Sequence, residues 1–333
     1  MALQRQPLVS IVTPVYNGEA FLRACIESVL AQTYTNWDYT IVDNCSTDGT
    51  PAIAHEYAAR DSRIKVHRNA SFVRVIENYN NAYRRISPDS EYCKVIAADD
   101  LLLPECLERM VGLAEQHSTV GIVAAYVLMD DAVVWSGLPY PSTVIEGRTL
   151  CRQRLLGAPY IFGTASALLW RSEIVRTRPA FLNEDNLHAD SEACLEFLAD
   201  HDFGFVHQIL TVQGKREGSL TSFSQRFRTY LPQTLHELVT YGPKYLDEHE
   251  LNQRIRQHLR RYYAYLGEQA LTRRDAQFWS FHRAKLAAAG HPLNRAWLAA
   301  AAGYHVLDVA LSLNRGMELI RRKVFRLLSG SRT

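Results

Sequence analysis

The chain has 333 residues, enough for two domains at about 150 residues each. Hydrophobic residues make up 47% and charged residues 22%, as in globular proteins and unlike disordered or low-complexity chains. The net charge of +2 excludes a protein that coats nucleic acid, yet the charge is unevenly distributed. Residues 251–333 contain 15 Lys/Arg against 4 Asp/Glu, and residues 1–250 contain 22 against 31. We therefore expect an acidic body with a basic tail.

The apolar stretches are too short or too interrupted to predict a membrane-spanning helix, which needs about 20 residues. Residues 155–170 contain two glycines and a proline, and residues 296–307 are only twelve. The N-terminus lacks the apolar run of a signal peptide. Six cysteines without a CxxC pair indicate reduced thiols, mostly in the core, and neither a disulfide framework nor a zinc site. The sequence therefore predicts a cytoplasmic protein.

Short apolar runs alternate with segments of helical periodicity in the first half of the chain. We predict strands at 8–16, 37–43, 64–67 and 92–97, and helices at about 21–30, 50–60 and 75–85, the first of them with Asn17-Gly18 as its N-cap and turn. Such alternation is typical of βαβ units and predicts an α/β fold with a mainly parallel sheet. Apolar runs at 120–129, 166–170 and 203–212 and a helix that begins near Asp190 continue the pattern. Residues 223–333 show helical periodicity, so we expect an α/β domain over 1–222 followed by a helical C-terminal region.

Acidic residues follow two of the predicted strands directly. Asp43 closes the second strand, and Asp99-Asp100 follow the fourth. Ligands of open α/β sheets bind beyond the carboxyl ends of the strands, and Mg²⁺ takes one or two carboxylates together with substrate phosphate. The pattern favours a divalent cation that holds a diphosphate. The alternative is that Asp99-Asp100 caps the helix expected after Pro104.

No glycine-rich phosphate loop follows the first strand, where residues 13–18 read Thr-Pro-Val-Tyr-Asn-Gly. This sequence excludes a P-loop NTPase and a dinucleotide oxidoreductase. It also disfavours a nucleotidyltransferase, which would need a basic, glycine-rich first loop. A nucleotide here would be held by a metal and by side chains.

Four motifs, at residues 9–18, 26–34, 41–50 and 98–104, resemble those of family 2 glycosyltransferases, in order and in spacing. The resemblance covers about the first 110 residues and continues more weakly to about residue 222. It implies a GT-A fold and an inverting transfer from a nucleotide-sugar, with a UDP-sugar favoured, to a glycan or lipid-linked glycan in bacterial surface glycan biosynthesis. The alternative is a catalytically inactive nucleotide-sugar-binding or assembly subunit.

The resemblance implies a set of nucleotide-sugar-binding residues: Thr13, Pro14, Val15, Asn17, Asp43, Ser46, Arg74, Asp99 and Arg216. Asp43 would accept a hydrogen bond from the base, and Asn44 replaces a more usual second Asp. Arg74 would contact the diphosphate or the base, unless it is simply an exposed helix residue. Arg216, aided by Lys215, would clamp the phosphates in place of a cationic group that is lost at Gly214, unless this is a solvated basic loop.

The family's metal motif often reads Asp-x-Asp-Asp, and here its first position is Ala97. The resemblance therefore implies Mn²⁺ or Mg²⁺ at Asp99 and Asp100. It places the catalytic base in an acidic pair that opens a helix, where this chain has Ala189-Asp190. Asp190 is the expected base, and Glu192 is the less favoured candidate. The alternative for Asp190 is that it only caps the start of this helix.

The tail after residue 294 has a basic, amphipathic pattern that ends in an Arg/Lys cluster over residues 315–326. Such helices bind anionic membrane surfaces, and this would make the protein peripheral at the inner face of the membrane. The alternative is packing on the catalytic domain or on another subunit of an oligomer.

Overall fold

A computed structural model describes residues 5–214, 220–273 and 275–308. They form two compact units that divide between Phe223 and Ser224.

The first unit is built on one mixed β-sheet. Its strands are β1 (Val9–Val15), β2 (Trp37–Asp43), β3 (Ile64–Arg68), β4 (Tyr92–Val95), β5 (Leu101–Leu102), β6 (Val120–Met129), β7 (Ala132–Val134), β8 (Val144–Ile145), β9 (Leu169–Arg171) and β10 (Asp202–Gln213). The order across the sheet is β3-β2-β1-β4-β9-β6-β10-β5, while β7 pairs with β6 and β8 with β10. The first four strands are parallel, and β10 is parallel to β6.

Helices connect these strands. They are α1 (Leu22–Leu30), α2 (Thr50–Arg60), α3 (Val75–Tyr83), α4 (Cys106–Gln116), α5 (Gly147–Leu156), α6 (Ser172–Val175) and α7 (Ala189–Phe197), and α8 (Leu220–Phe227) follows β10. Every residue of β1 is buried, as expected for a central parallel strand that is covered by helices on both faces.

The α/β architecture and the strands and helices of the first half are confirmed, with shifts of one or two residues at some ends. Two details differ. The sheet is more mixed than expected, because β9 lies antiparallel between β4 and β6. Asn17 is not the N-cap of α1, which begins at Leu22. It adopts a left-handed backbone conformation with φ 47°, and its Oδ1 accepts the Thr47 N–H.

The second unit is helical, as predicted. It contains α9 (Tyr230–Tyr245), α10 (Glu248–Thr272), α11 (Ala276–Ala288) and a helical segment at residues 295–308. Asp247 and Glu250 form a reciprocal capping box that fixes the start of α10. Among the helices that the structure describes, none is long and apolar enough to cross a membrane. The Arg/Lys cluster at 315–326 lies outside the described residues.

Candidate functional site

Asp43 lies at the carboxyl end of β2, between the neighbouring parallel strands β1 and β3. Its register partners are Val15 of β1 and Arg68 of β3. Asp43 is buried, and its Oδ1 accepts the Ser46 N–H at 3.0 Å. Its Oδ2 lies 2.9 Å from Arg68 Nη1 in an ion pair and accepts no hydrogen bond from the part of the chain that the structure describes. This edge of the sheet therefore holds a buried carboxylate that is paired with a guanidinium.

Asn44 fastens the segment that leads into α3. Its Oδ1 accepts hydrogen bonds from the Val73 N–H and from Asn69 Nδ2, both at 3.0 Å, and its Nδ2 donates to the Val73 carbonyl at 2.8 Å. A carboxylate could not make the last bond, because it has no donor. The replacement of the more usual Asp at this position therefore has a structural reason.

Arg74 stands at the N-cap of α3 with an exposed side chain. It forms an ion pair with Asp185 at 3.0 Å, in the loop ahead of α7. Because both partners are exposed, this pair contributes little to stability. The side chain thus lies between the Asp43 edge and the loop that leads to Asp190, and its nucleotide contact stays a prediction.

The expected nucleotide-binding residues of β1 are placed deeper than the sequence suggested. Thr13 is fully buried and its hydroxyl bonds to the Tyr39 hydroxyl at 2.8 Å, so this side chain faces the core and does not line an open site. Pro14 and Val15 are buried as well. Asn17 is half-buried at the turn after β1, where its N–H donates to Ser46 Oγ at 2.9 Å.

The turn after β4 presents two carboxylates side by side. The N-cap of α4 is Glu105, so the alternative in which Asp99-Asp100 caps this helix is wrong. Burial first, and then the neighbouring Asp99 charge, raises the pKa of Asp100 to about 7, although hydrogen bonds from Ser166 and the Gly214 N–H oppose the rise. Among the described residues, the Asp99 carboxylate makes no hydrogen bond or ion pair.

A buried hydrogen-bond network holds this turn in place. Ser166 Oγ accepts the Ala97 N–H at 3.0 Å, and the Ser166 carbonyl accepts Lys94 Nζ at 2.6 Å and the Thr211 hydroxyl at 3.3 Å. Lys94 is completely buried, and burial lowers its pKa. Groups on β4 and β10, together with the segment before β9, therefore hold the turn that carries Asp100.

Asp99 and Asp100 have the donor set of a hard cation. Within residues 5–214, 220–273 and 275–308, no three His, Cys, Asp or Glu side chains come together as a protein-only metal cage. Two adjacent carboxylates that repel each other suit Mg²⁺ or Mn²⁺, which complete their coordination with water and substrate phosphate. The residues present fit a metal that is shared with a diphosphate.

The two candidate bases, Asp190 and Glu192, have different surroundings at the start of α7. The N-cap is His188, so Asp190 is the second helical residue and not the cap. Asp190 is half-buried, and its Oδ1 accepts the Ser191 N–H at 2.8 Å. Glu192 is buried instead, and its carboxylate accepts hydrogen bonds from the amides of Asn183 and Asn186. Glu192 therefore holds the loop ahead of the helix.

Three carboxylates of the candidate site affect the Tyr79 phenol of α3. Burial raises its pKa, and the negative charges of Asp100, Asp99 and Asp190 raise it further, in that order. The acidic turn and the start of α7 thus act electrostatically on the same side chain. Tyr79 was not predicted from the sequence, where its only signal was the polar run Asn78-Tyr79-Asn80-Asn81.

Asn80, beside it, ties α3 to the loop before α7. Its Nδ2 donates to the Leu182 carbonyl and its Oδ1 accepts the Leu182 N–H, both at 2.8 Å. Because Tyr79 and Asn80 belong to the same helix, this pair of bonds fixes the distance between α3 and the segment that carries Asp190. Lys215 and Arg216 lie outside the described residues, so the phosphate clamp stays a prediction.

Residues 10–175 match the family model described as "Glycosyl transferase family 2". The chain belongs to glycosyltransferase family 2. One relative is the putative teichuronic acid biosynthesis glycosyltransferase TuaG of Bacillus subtilis, 33% identical over 128 residues, which are 37% of this chain and 48% of TuaG. The chain spans about a quarter to just over half the length of the curated relatives that it matches.

Solved structures show that this chain has a GT-A fold. S. aureus TarS 1–349 in complex with UDP-GlcNAc superposes with a TM-score of 0.62 at 15% identity, over 84% of this chain and 80% of TarS. The mannosyltransferase PcManGT of Pyrobaculum calidifontis, in complex with GDP-Man and Mn²⁺, gives 0.55 at 17% identity, over 92% of this chain and 88% of that one.

Proposed function

We propose that this protein is an inverting glycosyltransferase that moves a sugar from a nucleotide diphosphate-sugar, with UDP-sugars favoured, to a hydroxyl of a glycan or lipid-linked glycan. The observation on which this rests is that the charges of Asp100, Asp99 and Asp190 all raise the pKa of one phenol, Tyr79. A diphosphate-binding pair of carboxylates and a separate carboxylate on the same side of the fold form the minimal set for sugar transfer to a hydroxyl.

In this scheme, Asp43 recognises the base. Its Oδ2 is paired with the exposed Arg68 guanidinium and would exchange this partner for the imide N–H of uracil. Next to it, the exposed rings of Tyr16 and Phe72 form an edge-to-face pair with centroids 4.8 Å apart, which offers an aromatic surface to a base. Arg74 would leave its exposed pair with Asp185 for the diphosphate, to which it can offer two parallel donors.

The chemistry needs one proton transfer and one displacement. Asp190 takes the proton of the acceptor hydroxyl while the oxygen attacks the anomeric carbon, and the bond from that carbon to the diphosphate breaks on the opposite face, so the configuration inverts. Asp99 and Asp100 would hold Mn²⁺ or Mg²⁺, which offsets the charge that develops on the leaving diphosphate.

A catalytically inactive nucleotide-sugar-binding subunit is the alternative, because Ala97, Ala189 and Gly214 replace functional groups of the usual family pattern. The two functions differ in turnover. We expect a nucleotide-sugar to raise the melting temperature more with Mn²⁺ than without it, and the same mixture to release nucleoside diphosphate. Binding without any release in the presence of acceptor extracts would favour the inactive subunit, and NMR of a product formed would report inversion.

The resemblance of part of this chain to a teichuronic acid glycosyltransferase supports a role in bacterial surface glycan biosynthesis. We propose that the protein acts at the inner face of the membrane. Residues 295–308 present Trp297, Tyr304 and Leu307 with 53%, 74% and 63% of their surface exposed. An exposed aromatic and aliphatic surface ahead of an Arg/Lys cluster suits an anionic lipid surface.

Liposome sedimentation tests this location. Full-length protein should sediment with vesicles that contain anionic phosphatidylglycerol, and less so as salt increases. Deletion of residues 294–333 should reduce the bound fraction. If full-length protein ignores these vesicles at low salt, the segment serves packing or assembly.

A further inference from the structure

We propose that Trp135 and Tyr160 form a subsite that stacks a hexopyranose ring of the acceptor beside the transfer centre. This inference rests on the proposed function and adds a specific acceptor-binding surface to it. Trp135 follows β7 and leaves 42% of its surface exposed, next to the loop of residues 163–166.

The exposed ring of Trp135 is held in place by its neighbours. It packs edge-to-face on Tyr160, with ring centroids 5.1 Å apart. The Tyr160 hydroxyl donates to the Gly163 carbonyl at 2.9 Å, and the Arg154 guanidinium lies 5.6 Å from the centre of the same ring. A fixed and partly exposed aromatic ring loses little conformational freedom when a ligand binds it.

The backbone around this pair is unusual in two places. Trp135 has φ 69°, a left-handed conformation that costs energy for a bulky residue and is concentrated at functional sites. Gly163 has φ 79°, and a Cβ atom there would lie 2.7 Å from Ala167 Cβ. The same Cβ position is 3.8 Å from Cδ1 of Trp135, so the loop lies against this ring. Glycine is therefore required at residue 163.

The loop also connects the aromatic pair to the acidic turn. Three residues after Gly163, Ser166 binds the Ala97 N–H and contacts the Asp100 carboxylate. Between them, Thr164 carries a buried hydroxyl that has no hydrogen-bond partner among the residues that the structure describes, which is uncommon for a buried polar atom.

A sugar fits this surface better than a purely apolar ligand. A hexopyranose has one face of C–H groups, which packs on the electron-rich face of an aromatic ring, and its hydroxyls need polar partners such as Thr164. The three-residue segment from Gly163 to Ser166 connects this surface to the acidic turn, where Ser166 contacts Asp100. Binding sites of this type combine aromatic walls with a few polar groups.

The test uses saturation-transfer NMR to measure the binding of methyl β-glycosides of glucose, galactose and N-acetylglucosamine to the protein. The variants are Trp135→Ala, Trp135→Phe and, as a control, Tyr230→Ala, at another exposed aromatic residue in the second unit. We expect at least one glycoside to bind wild type with its C–H face saturated, and Trp135→Ala to weaken it by about three- to tenfold. Trp135→Phe should retain most of the binding, and Tyr230→Ala all of it.

Melting temperatures with a UDP-sugar and Mn²⁺ separate this proposal from the proposed function. Trp135→Ala should keep the full donor-dependent shift while its KM for acceptor increases and kcat changes little. Equal glycoside binding by wild type and Trp135→Ala overturns the subsite, as does the absence of any glycoside signal from wild type. If no nucleotide-sugar stabilises wild type, the failure belongs to the proposed function instead.

Discussion

The backbone of Gly214 lies directly on the carbonyl of Asp99: a Cβ atom at position 214 would be 2.0 Å from the Asp99 carbonyl oxygen. The Gly214 N–H donates to Asp100 Oδ1 at 2.9 Å. Gly214, which follows β10, thus lies against the backbone of the acidic turn and also donates a hydrogen bond to it. A side chain at position 214 would collide with the turn, so the glycine has a structural reason.

Gly214→Ala should move the acidic turn. The added methyl group meets backbone, which cannot rotate away, and we expect a loss of about 1–3 kcal/mol in the free energy of unfolding. The Mn²⁺-dependent thermal shift with a UDP-sugar should fall as well. Gly303→Ala is the matched control, because nothing lies within 4 Å of a Cβ there. Equal metal-dependent shifts in the two variants would show that Gly214 does not position the turn.

Asp190→Asn tests the base. Asn is nearly isosteric, and Asp190 is not the N-cap, so the fold and donor binding should persist. The transfer rate should fall by about 10²–10⁴-fold, the usual contribution of general-base catalysis. Asp200→Asn, at an exposed position beyond the other end of α7, controls for the loss of one charge. A transfer rate within a few-fold of the parent would show that another group takes the proton.

Glu192→Gln should behave differently from Asp190→Asn. It places an amide against the amides of Asn183 and Asn186, so part of the hydrogen bonding to this buried carboxylate is lost. We expect a loss of stability of about 1–3 kcal/mol, measured by denaturant unfolding, and activity that falls with the folded fraction. If this variant is fully folded and yet inactive in transfer, Glu192 is the base.

Asp99→Asn and Asp100→Asn test the metal. Each removes one of two adjacent carboxylates, so Mn²⁺ should no longer enhance stabilisation by a nucleotide-sugar. Asp99→Asn should melt near the wild-type temperature without ligand, whereas Asp100→Asn alters the acceptor of the Gly214 N–H. Persistent Mn²⁺ dependence of binding in both variants contradicts the assignment.

The second unit should lose stability in mild acid because of His282. Burial lowers the pKa of this histidine from 6.5 to about 4. Between these values the unfolded chain takes up a proton that the folded chain excludes, so stability is full above about pH 6.5 and decreases toward pH 4, by at most about 3 kcal/mol. Urea unfolding at several pH values measures the slope, and His282→Asn should flatten it. An unchanged slope in that variant would assign the effect to other groups.

The sequence predicted those parts of the protein that depend on local pattern. The runs rich in β-branched and aromatic residues at 37–43 and 120–129 form β2 and β6 with the predicted bounds, since residues of these types favour buried strands. Asp43 and Asp99 were found because strand ends are visible in sequence. The contact of Gly214 with Asp100 was not predicted, since the two residues are 114 positions apart in the sequence. No periodicity encodes such a contact, and the same holds for Tyr79.

The distribution of the six cysteines makes this protein easy to probe in its native form. Five are buried, and burial raises the pKa of Cys25 to about 12 and also raises the pKa of Cys93 and Cys106. Cys45 alone is half-buried, two residues after Asp43, with its thiol directed to the Asn69 carbonyl at 3.3 Å. Because thiolates are the reactive form, a maleimide dye should attach at this one position. A dye at Cys45 of the wild-type chain would therefore report nucleotide binding by a change in fluorescence, with no engineered cysteine required.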